Sequence, residues 1–379
     1  MNFEFSQEQL AFRDMAADFA KKEIAPHAAL WDKERHFPRD VLENAAAQGM
    51  AGLYVNEEHG GSGLSRVDAV VVFEELSKAC PSTAAFMSIH NMVAWMIDSF
   101  GGDKQRSKFL PGLTSMKTVA SYCLTEPDAG SDAASLKTKA KLDGEYYYVS
   151  GSKAFISGAG ASDIYLVMVR TGGIGPKGIS CLAIDKDTPG LSFGPQEKKL
   201  GWHSQPTAVV FFEDCKVPKE NLIGKEGDGF KIAMAGLDGG RLNIGACSLG
   251  GAQACLEMAT QYLKERKQFG KPLASFQALQ FRIADMATEL EAARLLLYKA
   301  AMLVQNKSPE ATATAAMAKR MATDVGFEVV NRALQLHGGY GYLEDFPIER
   351  YLRDLRVHQI LEGTNEIMRL IIARELLKD

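Results

Sequence analysis

The chain has 379 residues, of which 46% are hydrophobic and 24% charged, and its formal net charge is −4. That is the ordinary balance of a globular protein of about two or three domains. It lacks the basic excess of a nucleic-acid binder, and no apolar run reaches the roughly 20 residues that span a bilayer. The start, MNFEFSQEQLAF, has neither the basic-then-apolar pattern of a secretory signal nor the acid-poor pattern of a transit peptide. A cytoplasmic location is therefore expected, or the mitochondrial matrix if a transit peptide has been removed. Cys80, Cys123, Cys181, Cys215, Cys247 and Cys255 include no CxxC pair and read as reduced thiols. The seven histidines form no ligand-spaced group, so no metal is expected.

Residues 1–120 read as an N-terminal helical domain. Ser6 and Gln9 make a capping-box pattern, and Leu10, Phe12, Met15, Phe19 and Ile24 recur at roughly helical intervals. A turn-rich stretch, NEEHGGSGLS, separates them from two further helical runs, VDAVVVFEELSKAC and AFMSIHNMVAWMIDSFG. Near residue 120 the texture changes. YYYVSGSKAFISG, SDIYLVMVRT, GISCLAID and TAVVFFEDCKV are short, β-branched and aromatic, and LDGE at 142–145 is a hairpin signal. Residues 121–227 are therefore expected to form a middle antiparallel β-sheet or barrel domain. From 228 to 379 helical periodicity returns over 230–268, 276–305 and 309–336, which reads as a C-terminal four-helix bundle. The fold class is α+β, mostly α. No Gly-x-Gly-x-x-Gly joins a strand to a helix, and a P-loop is missing as well.

Four segments carry candidate chemistry. YCLTEPDAGSD, 122–132, could turn several backbone N–H groups and hydroxyls toward one ligand, although most such loops are only turns. In GSKAFISGAG, 151–160, strand alternation puts Phe155 and Ser157 on one face, fit for a flat ring or for an ordinary half-buried sheet. In ERKQFGKPL, 265–273, Arg266, Lys267 and Lys271 gather at a helix end, where they suit either the helix dipole or a pyrophosphate. The fourth segment, 335–367, passes through the glycine turn Gly338–Gly339 to Glu362, which stands at a break between two helical stretches with Thr364 or Asn365 placed to cap the second. Glu362 is either a loop acid or a base held in a dry pocket beside Ile360 and Leu361.

Together, TEPDAGSD, SKAFISG, RKQFG, QLHGGYGY and ILEGTNEI resemble the acyl-CoA dehydrogenase family, in its order and at its spacings along essentially the whole chain. GPKGISC, GWHSQPT, LQLHGGYGY and RVHQILEGTNEIM are most similar to members acting on short branched acyl-CoAs, isobutyryl-CoA first, with short straight-chain and 2-methylbutyryl thioesters as the alternatives.

The resemblance implies a non-covalent FAD and oxidation of an acyl-CoA thioester to the 2-enoyl-CoA. Tyr122, Cys123, Leu124, Thr125 and Ser131 would line the flavin, with Ser131 also touching the CoA. Phe155, Ile156 and Ser157 would cover the flavin face away from the substrate. Arg266, Phe269, Phe276 and Gln277 would reach the FAD of a neighbouring subunit, as would Gln335, Leu336, His337, Gly338 and Gly339. Thr364, Asn365 and Glu366 would bind the FAD where the last helix begins, a place suited to anions. Leu237, Asp238, Gly239, Gly240, Arg241, Gly363 and Arg374 would contact the substrate, the two glycines giving width for a branched acyl group. Glu362 would be the catalytic base, taking the α-proton while a hydride passes to the flavin. Some members carry the base immediately before the arginine that corresponds to Arg241. That position here is Gly240, and Asp238 is offset from it and reads as a positioning group. Electron-transfer flavoprotein would accept the electrons, and the shared FAD site implies a homo-oligomer, usually a tetramer. An acyl-CoA oxidase would need a longer C-terminal region, a nitroalkane oxidase an Asp base, and a non-enzymatic helical module would carry no chromophore.

Overall fold

A computed structural model describes residues 4–378, so residues 1–3 and 379, the extreme ends of the first and third expected domains, lie outside it. The chain opens with α1 (Gln7–Phe19), α2 (Ala28–Glu34), α3 (Arg39–Ala47), α4 (Arg66–Ala79), α5 (Pro81–Phe100) and α6 (Asp103–Thr114). The capping box is present: Ser6 Oγ accepts the Gln9 N–H at 3.1 Å, and Gln9 Oε1 accepts the Ser6 N–H at 3.1 Å. Ser65 and Asp68 repeat the device at α4. α4 and α5 are apolar on most sides and accordingly sit in the core.

Strands β1 (Ala120–Cys123), β2 (Lys139–Asp143), β3 (Tyr146–Ser157), β4 (Ile164–Arg170), β5 (Ile179–Asp185), β6 (Leu191–Phe193), β7 (Thr207–Pro218) and β8 (Leu222–Ile223) form one sheet, ordered β6-β7-β3-β2-β4-β5-β8. The hairpin signal is realised. Asp143 pairs with Tyr146 across a two-residue turn in which Gly144 takes φ 59°. Most pairings are antiparallel, but β1 runs parallel to β4, as does the single β2–β4 contact, so the sheet is mixed where an antiparallel one was expected. β1 runs into the stretch read as a loop, sharing Tyr122 and Cys123 with it, and four residues are too few to display a period. β4 and β5 are buried on both faces and hence read as unbroken apolar runs. Ile164, Leu166 and Met168 pack toward the helices, while Tyr165, Val167 and Val169 face the sheet's own core.

The third block contains α7 (Gly229–Glu265), the small hairpin β9 (Lys267–Gln268) and β10 (Lys271–Pro272), α8 (Gln277–Gln305), α9 (Ala311–His337), α10 (Ile348–Arg356) and α11 (Asn365–Leu376). α7 is the spine, touching α4, α5, α8, α9 and β5. Its glycines allow the close approach: a Cβ on Gly250 would stand 2.0 Å from the Glu74 carbonyl oxygen.

Candidate active site

Glu362 and Gly363 form the turn between α10 and α11, with φ 57° and 89°. A non-glycine residue at positive φ is strained and needs its surroundings to hold it. Three contacts do so. Arg241 Nε donates to the Glu362 carbonyl at 3.3 Å, Lys319 Nζ donates to the Gly363 carbonyl at 2.8 Å, and Thr364 Oγ1 caps α11 by accepting the Ile367 N–H at 3.3 Å. Thr364 is thus the cap. Asn365 lies inside the helix and turns its amide to Thr323 and Asp324. Before the turn, Trp202 Nε1 donates to His358 Nε2 at 3.2 Å, and Asp354 accepts the Trp202 backbone N–H at 2.6 Å. Because indole only donates, His358 carries its proton on Nδ1 and donates to Ser248 Oγ, 2.7 Å away. Burial pushes the His358 imidazole down to about 3, so it stays neutral and structural.

The side chain of Glu362 leaves this turn toward α7. A Cβ built on Gly240 would lie 2.5 Å from Glu362 Oε2, and one on Gly239 would lie 2.5 Å from Arg66 Nη1. The two glycines therefore seat the carboxylate and Arg66 rather than widen a pocket, which corrects the expectation drawn for them. Asp238 likewise faces away from the cavity. Its carboxylate accepts from Arg241 Nη1 at 2.7 Å and from Thr312 Oγ1 at 2.8 Å.

Glu362 opens on a cavity of about 1180 Å³. Phe230, Met234, Leu237 and Arg241 on α7 form one wall, and Tyr122, Leu124, Thr125 and Ser131 another. Phe155, Ile156 and Ser157 of β3 and Gly363, Thr364 and Arg374 also line it. Glu362 Oε2 and the Tyr122 hydroxyl are both buried without a hydrogen-bond partner among the described residues. Burial raises the Glu362 carboxyl from 4.5 to about 7, against the opposing pull of Arg241 and Lys319. Burial, and then the charge of Glu362, hold the Tyr122 phenol well above its ordinary value. Ile360, one of the apolar neighbours expected to dry the carboxylate, is 51% exposed. It lines the cavity together with Leu361, on the same space as Tyr122 and the α7 stripe. Phe155, at a register shift between β3 and β7 and with φ 57°, is 69% exposed toward this space. Buried Lys153 next to it pairs with Glu126 at 2.8 Å and donates to the Leu124 carbonyl at 2.9 Å, bracing the loop that follows β1.

A second, smaller cavity of about 410 Å³ lies at the far end of α9. It brings together Arg266, Gln335, Leu336, His337, Gly338 and Gly339. Gly338 has φ 61°, and a Cβ there or on Gly339 would meet nothing within 4 Å, so the backbone faces open space. His337 is buried and stacks on Tyr262 with centroids 4.3 Å apart. Phe269, Phe276 and Gln277 line neither cavity; Phe269 is 93% exposed and meets Phe276 edge-on at 6.1 Å. Three other expected residues also stand apart from the main cavity. The Cys123 thiol points into the opposite face of the sheet, Asn365 faces α9, and Glu366 pairs with Arg369.

The sequence reading missed Phe230 and Met234, and the loop 197–202 with Arg353 and Arg356, all of which line the cavity. Phe230, Met234, Leu237 and Arg241 follow i, i+4, i+7, i+11 along α7, a one-sided stripe that could have been found by periodicity. The loop carries no such period. It is placed by tertiary contact, since a Cβ on Gly201 would lie 2.5 Å from the Arg353 carbonyl.

The raised Glu362 carboxyl has a consequence for stability. The folded state binds this proton more tightly than the unfolded one, so ionising it opposes folding. The penalty is absent below pH 4.5 and complete above about pH 7. Glu362→Gln is therefore expected to gain about 3 kcal/mol of unfolding free energy at pH 8, shrinking toward pH 5. Denaturant melts at the two pH values check this, and an equal or absent gain at both contradicts the burial argument.

Comparison with known proteins agrees with this architecture. Residues 6–117, 121–215 and 227–377 match the N-terminal, middle and C-terminal domains of acyl-CoA dehydrogenase. The chain is 60% identical over 375 residues to a Dictyostelium discoideum protein named isobutyryl-CoA dehydrogenase, mitochondrial, covering 99% of this chain and 90% of that one. It is 55% identical over 374 residues to the Bos taurus protein of the same name, with the same coverage. The structure of butyryl-CoA dehydrogenase from Megasphaera elsdenii superposes with a TM-score of 0.97 at 40% identity, over 100% of both chains.

Proposed function

The chain belongs to the acyl-CoA dehydrogenase family, and on that premise we propose that Glu362 takes the α-proton of a short branched acyl-CoA, isobutyryl-CoA first, to yield the 2-enoyl-CoA. Membership makes the protein an oxidoreductase of acyl-CoA thioesters. The observation that carries the proposal is the orphaned, buried Oε2 of Glu362 facing a large cavity, with its carboxyl raised to about 7. A carboxyl balanced near neutrality is a stronger base than a solvated one and is still partly ionised at neutral pH.

The backbone of the same residue supplies a second function. Among the described residues, the Glu362 N–H has no acceptor, while its carbonyl is held by Arg241. An N–H fixed in this way donates to a thioester carbonyl and stabilises the charge that develops as the α-proton leaves. The Leu237 and Met234 stripe of α7 bounds the acyl space and excludes water.

The residues fit a flavin. The cavity is large, it offers the unpartnered Tyr122 hydroxyl, and Phe155 is turned out of the sheet toward it. Tyr122, Leu124, Thr125, Ser131, Phe155, Ile156, Ser157 and Thr364 would hold FAD, which when bound supplies the hydride acceptor. Arg266 and Gln335–Gly339 would hold the FAD of a second copy of the chain. Electron-transfer flavoprotein is the proposed acceptor and a homotetramer the proposed assembly. Among the described residues no helix is long and apolar enough to cross a membrane; a cytoplasmic or mitochondrial-matrix location is part of the same proposal.

The test is turnover of the FAD-loaded protein with an artificial acceptor and four thioesters. Isobutyryl-CoA is expected to give the highest kcat/KM, ahead of 2-methylbutyryl-CoA, butyryl-CoA and octanoyl-CoA. A preference for butyryl-CoA keeps the dehydrogenase and removes the branched-chain assignment, and turnover of none of them overturns the reading.

A further inference from the structure

Lys319 sits in the first half of α9 with its side chain fully buried. Its Nζ donates to the Gly363 carbonyl at 2.8 Å and to Asn365 Oδ1 at 3.0 Å. Asn365 passes the contact on, donating to Thr323 Oγ1 at 2.9 Å and to Asp324 Oδ1 at 2.7 Å, and Gln359 Nε2 reaches the same Asp324 oxygen at 2.9 Å. Residues on both sides of the turn are thus tied to one patch of α9. Two consecutive carbonyls of the strained turn, those of Glu362 and Gly363, each rest on a buried cation.

A buried ammonium is costly, and an apolar side chain of similar volume would pack α9 at lower cost. The charge therefore needs a reason. Arg241 already meets the carboxylate of Asp238 at 2.7 Å. Lys319 forms no ion pair among the described residues, and of the carboxylates acting on it Glu362, within the turn that it holds, acts most strongly. We infer that Lys319 is a positioning residue for Glu362: it fixes the backbone turn that aims the carboxylate and supplies the unneutralised charge that favours its ionised form.

Arg66 of α4 is a further buried cation on this side, its Nη1 without a hydrogen-bond partner among the described residues and its guanidinium over the Tyr54 ring; the remaining groups have partners or are neutral. Asp238 and Arg241 on α7 pair with each other, and Arg241 acts with Lys319 in lowering the Glu362 carboxyl. On α9, Asp324 is met by Arg320 at 3.5 Å and by Arg369 of α11 at 3.5 Å, and Glu366 of α11 pairs with Arg369 at 3.3 Å. His358 before the turn is kept neutral by burial, and the Tyr54 and Tyr122 phenols are held protonated in the same way. Burial lowers Lys319 to about 7 while the charge of Glu362 opposes the fall, so both groups titrate over the same pH range and the cation acts on the acid side of it.

This inference rests on Glu362 as the base, and the experiment separates the two. Lys319→Met and Lys319→Arg, loaded with FAD, are compared with wild type for the pH dependence of kcat/KM from pH 6 to 9 and for thermal unfolding. Glu362→Gln is run beside them. Removing the cation raises the Glu362 pKa, so the acid limb in Lys319→Met should move up by about one pH unit. The deficit is then about tenfold at pH 6.5 and closes toward pH 9. Lys319→Arg keeps the charge, so its limb should stay near wild type even if kcat falls from misfit. A uniform loss at every pH in Lys319→Met, or equal shifts in both variants, overturns the role while leaving the base in place. Wild-type turnover by Glu362→Gln overturns the base itself. If Lys319→Met does not fold, Lys319→Gln keeps a donor without the charge and reads the same limb.

Discussion

Replacing Glu362 with glutamine is expected to lower turnover by roughly 10²–10⁴-fold, the usual worth of a positioned general base. Glutamine has nearly the same shape, so the strained turn and its contacts to Arg241, Lys319 and Thr364 should persist. What is lost is the lone charge and the proton acceptor. No described carboxylate stands ready to replace it. Asp238 is committed to Arg241 and Thr312, and position 240 is glycine. The variant should keep its flavin and, above neutral pH, fold more firmly than wild type, because the raised carboxyl no longer has to ionise inside the protein. Steady-state kinetics with the flavin content measured on the same sample check this. Loss of rate together with loss of flavin would point to a structural role instead.

Gly240→Ala should have the next largest effect, a fall in kcat/KM of about 10²-fold, the scale expected for a displacement of about 1 Å in a reacting group. The added Cβ would lie 2.5 Å from Glu362 Oε2 and 2.8 Å from its Cδ, closer than atoms tolerate. The group that must yield is the free end of a side chain, so the backbone need not move and stability should not suffer. A glycine inside a helix costs about 1 kcal/mol relative to alanine, so the variant should unfold at the same temperature or higher. Loss of activity without loss of stability is the signature of a displaced base. Gly239→Ala is the control. Its Cβ meets Arg66 Nη1 at 2.5 Å, where the guanidinium lies 3.8 Å from the Tyr54 ring centroid and 4.4 Å from that of Trp95, so it should destabilise the fold. Full activity in Gly240→Ala would mean that the carboxylate does not work from the position described.

The parts of this molecule with a clear period were legible in the sequence. The capping box at Ser6, the hairpin at 142–145 and the long helices of the third block stand where residue spacing puts them, and of the two caps it offered, Thr364 and Asn365, the first is used. Glu362 was legible as an acid at a helix break, but its environment was not. Its neighbours in sequence, Ile360 among them, are partly exposed, whereas Gly240, Tyr122 and Lys319 surround it from 122, 240 and 43 residues away (362−240, 362−122 and 362−319). Such contacts leave no local trace. The same holds for β1, whose parallel pairing with β4 depends on a crossover between distant segments. Alternation put Phe155 and Ser157 on one face, but Ala154, Phe155, Ile156 and Ser157 all line the cavity, because the bulge against β7 and the positive φ of Phe155 interrupt the alternation. Cys123 was grouped with its neighbours in one motif, yet strand alternation sends its side chain to the other side of the sheet.

The most direct measurement is rapid mixing, without oxygen, of isobutyryl-CoA with the FAD-loaded wild-type protein and with Glu362→Gln, following the flavin absorption. The wild type should bleach fast, and the variant should begin with the same spectrum and bleach at least 100-fold more slowly. Equal rates in the two proteins would contradict Glu362 as the base, and no bleaching in the wild type would contradict the dehydrogenation of isobutyryl-CoA.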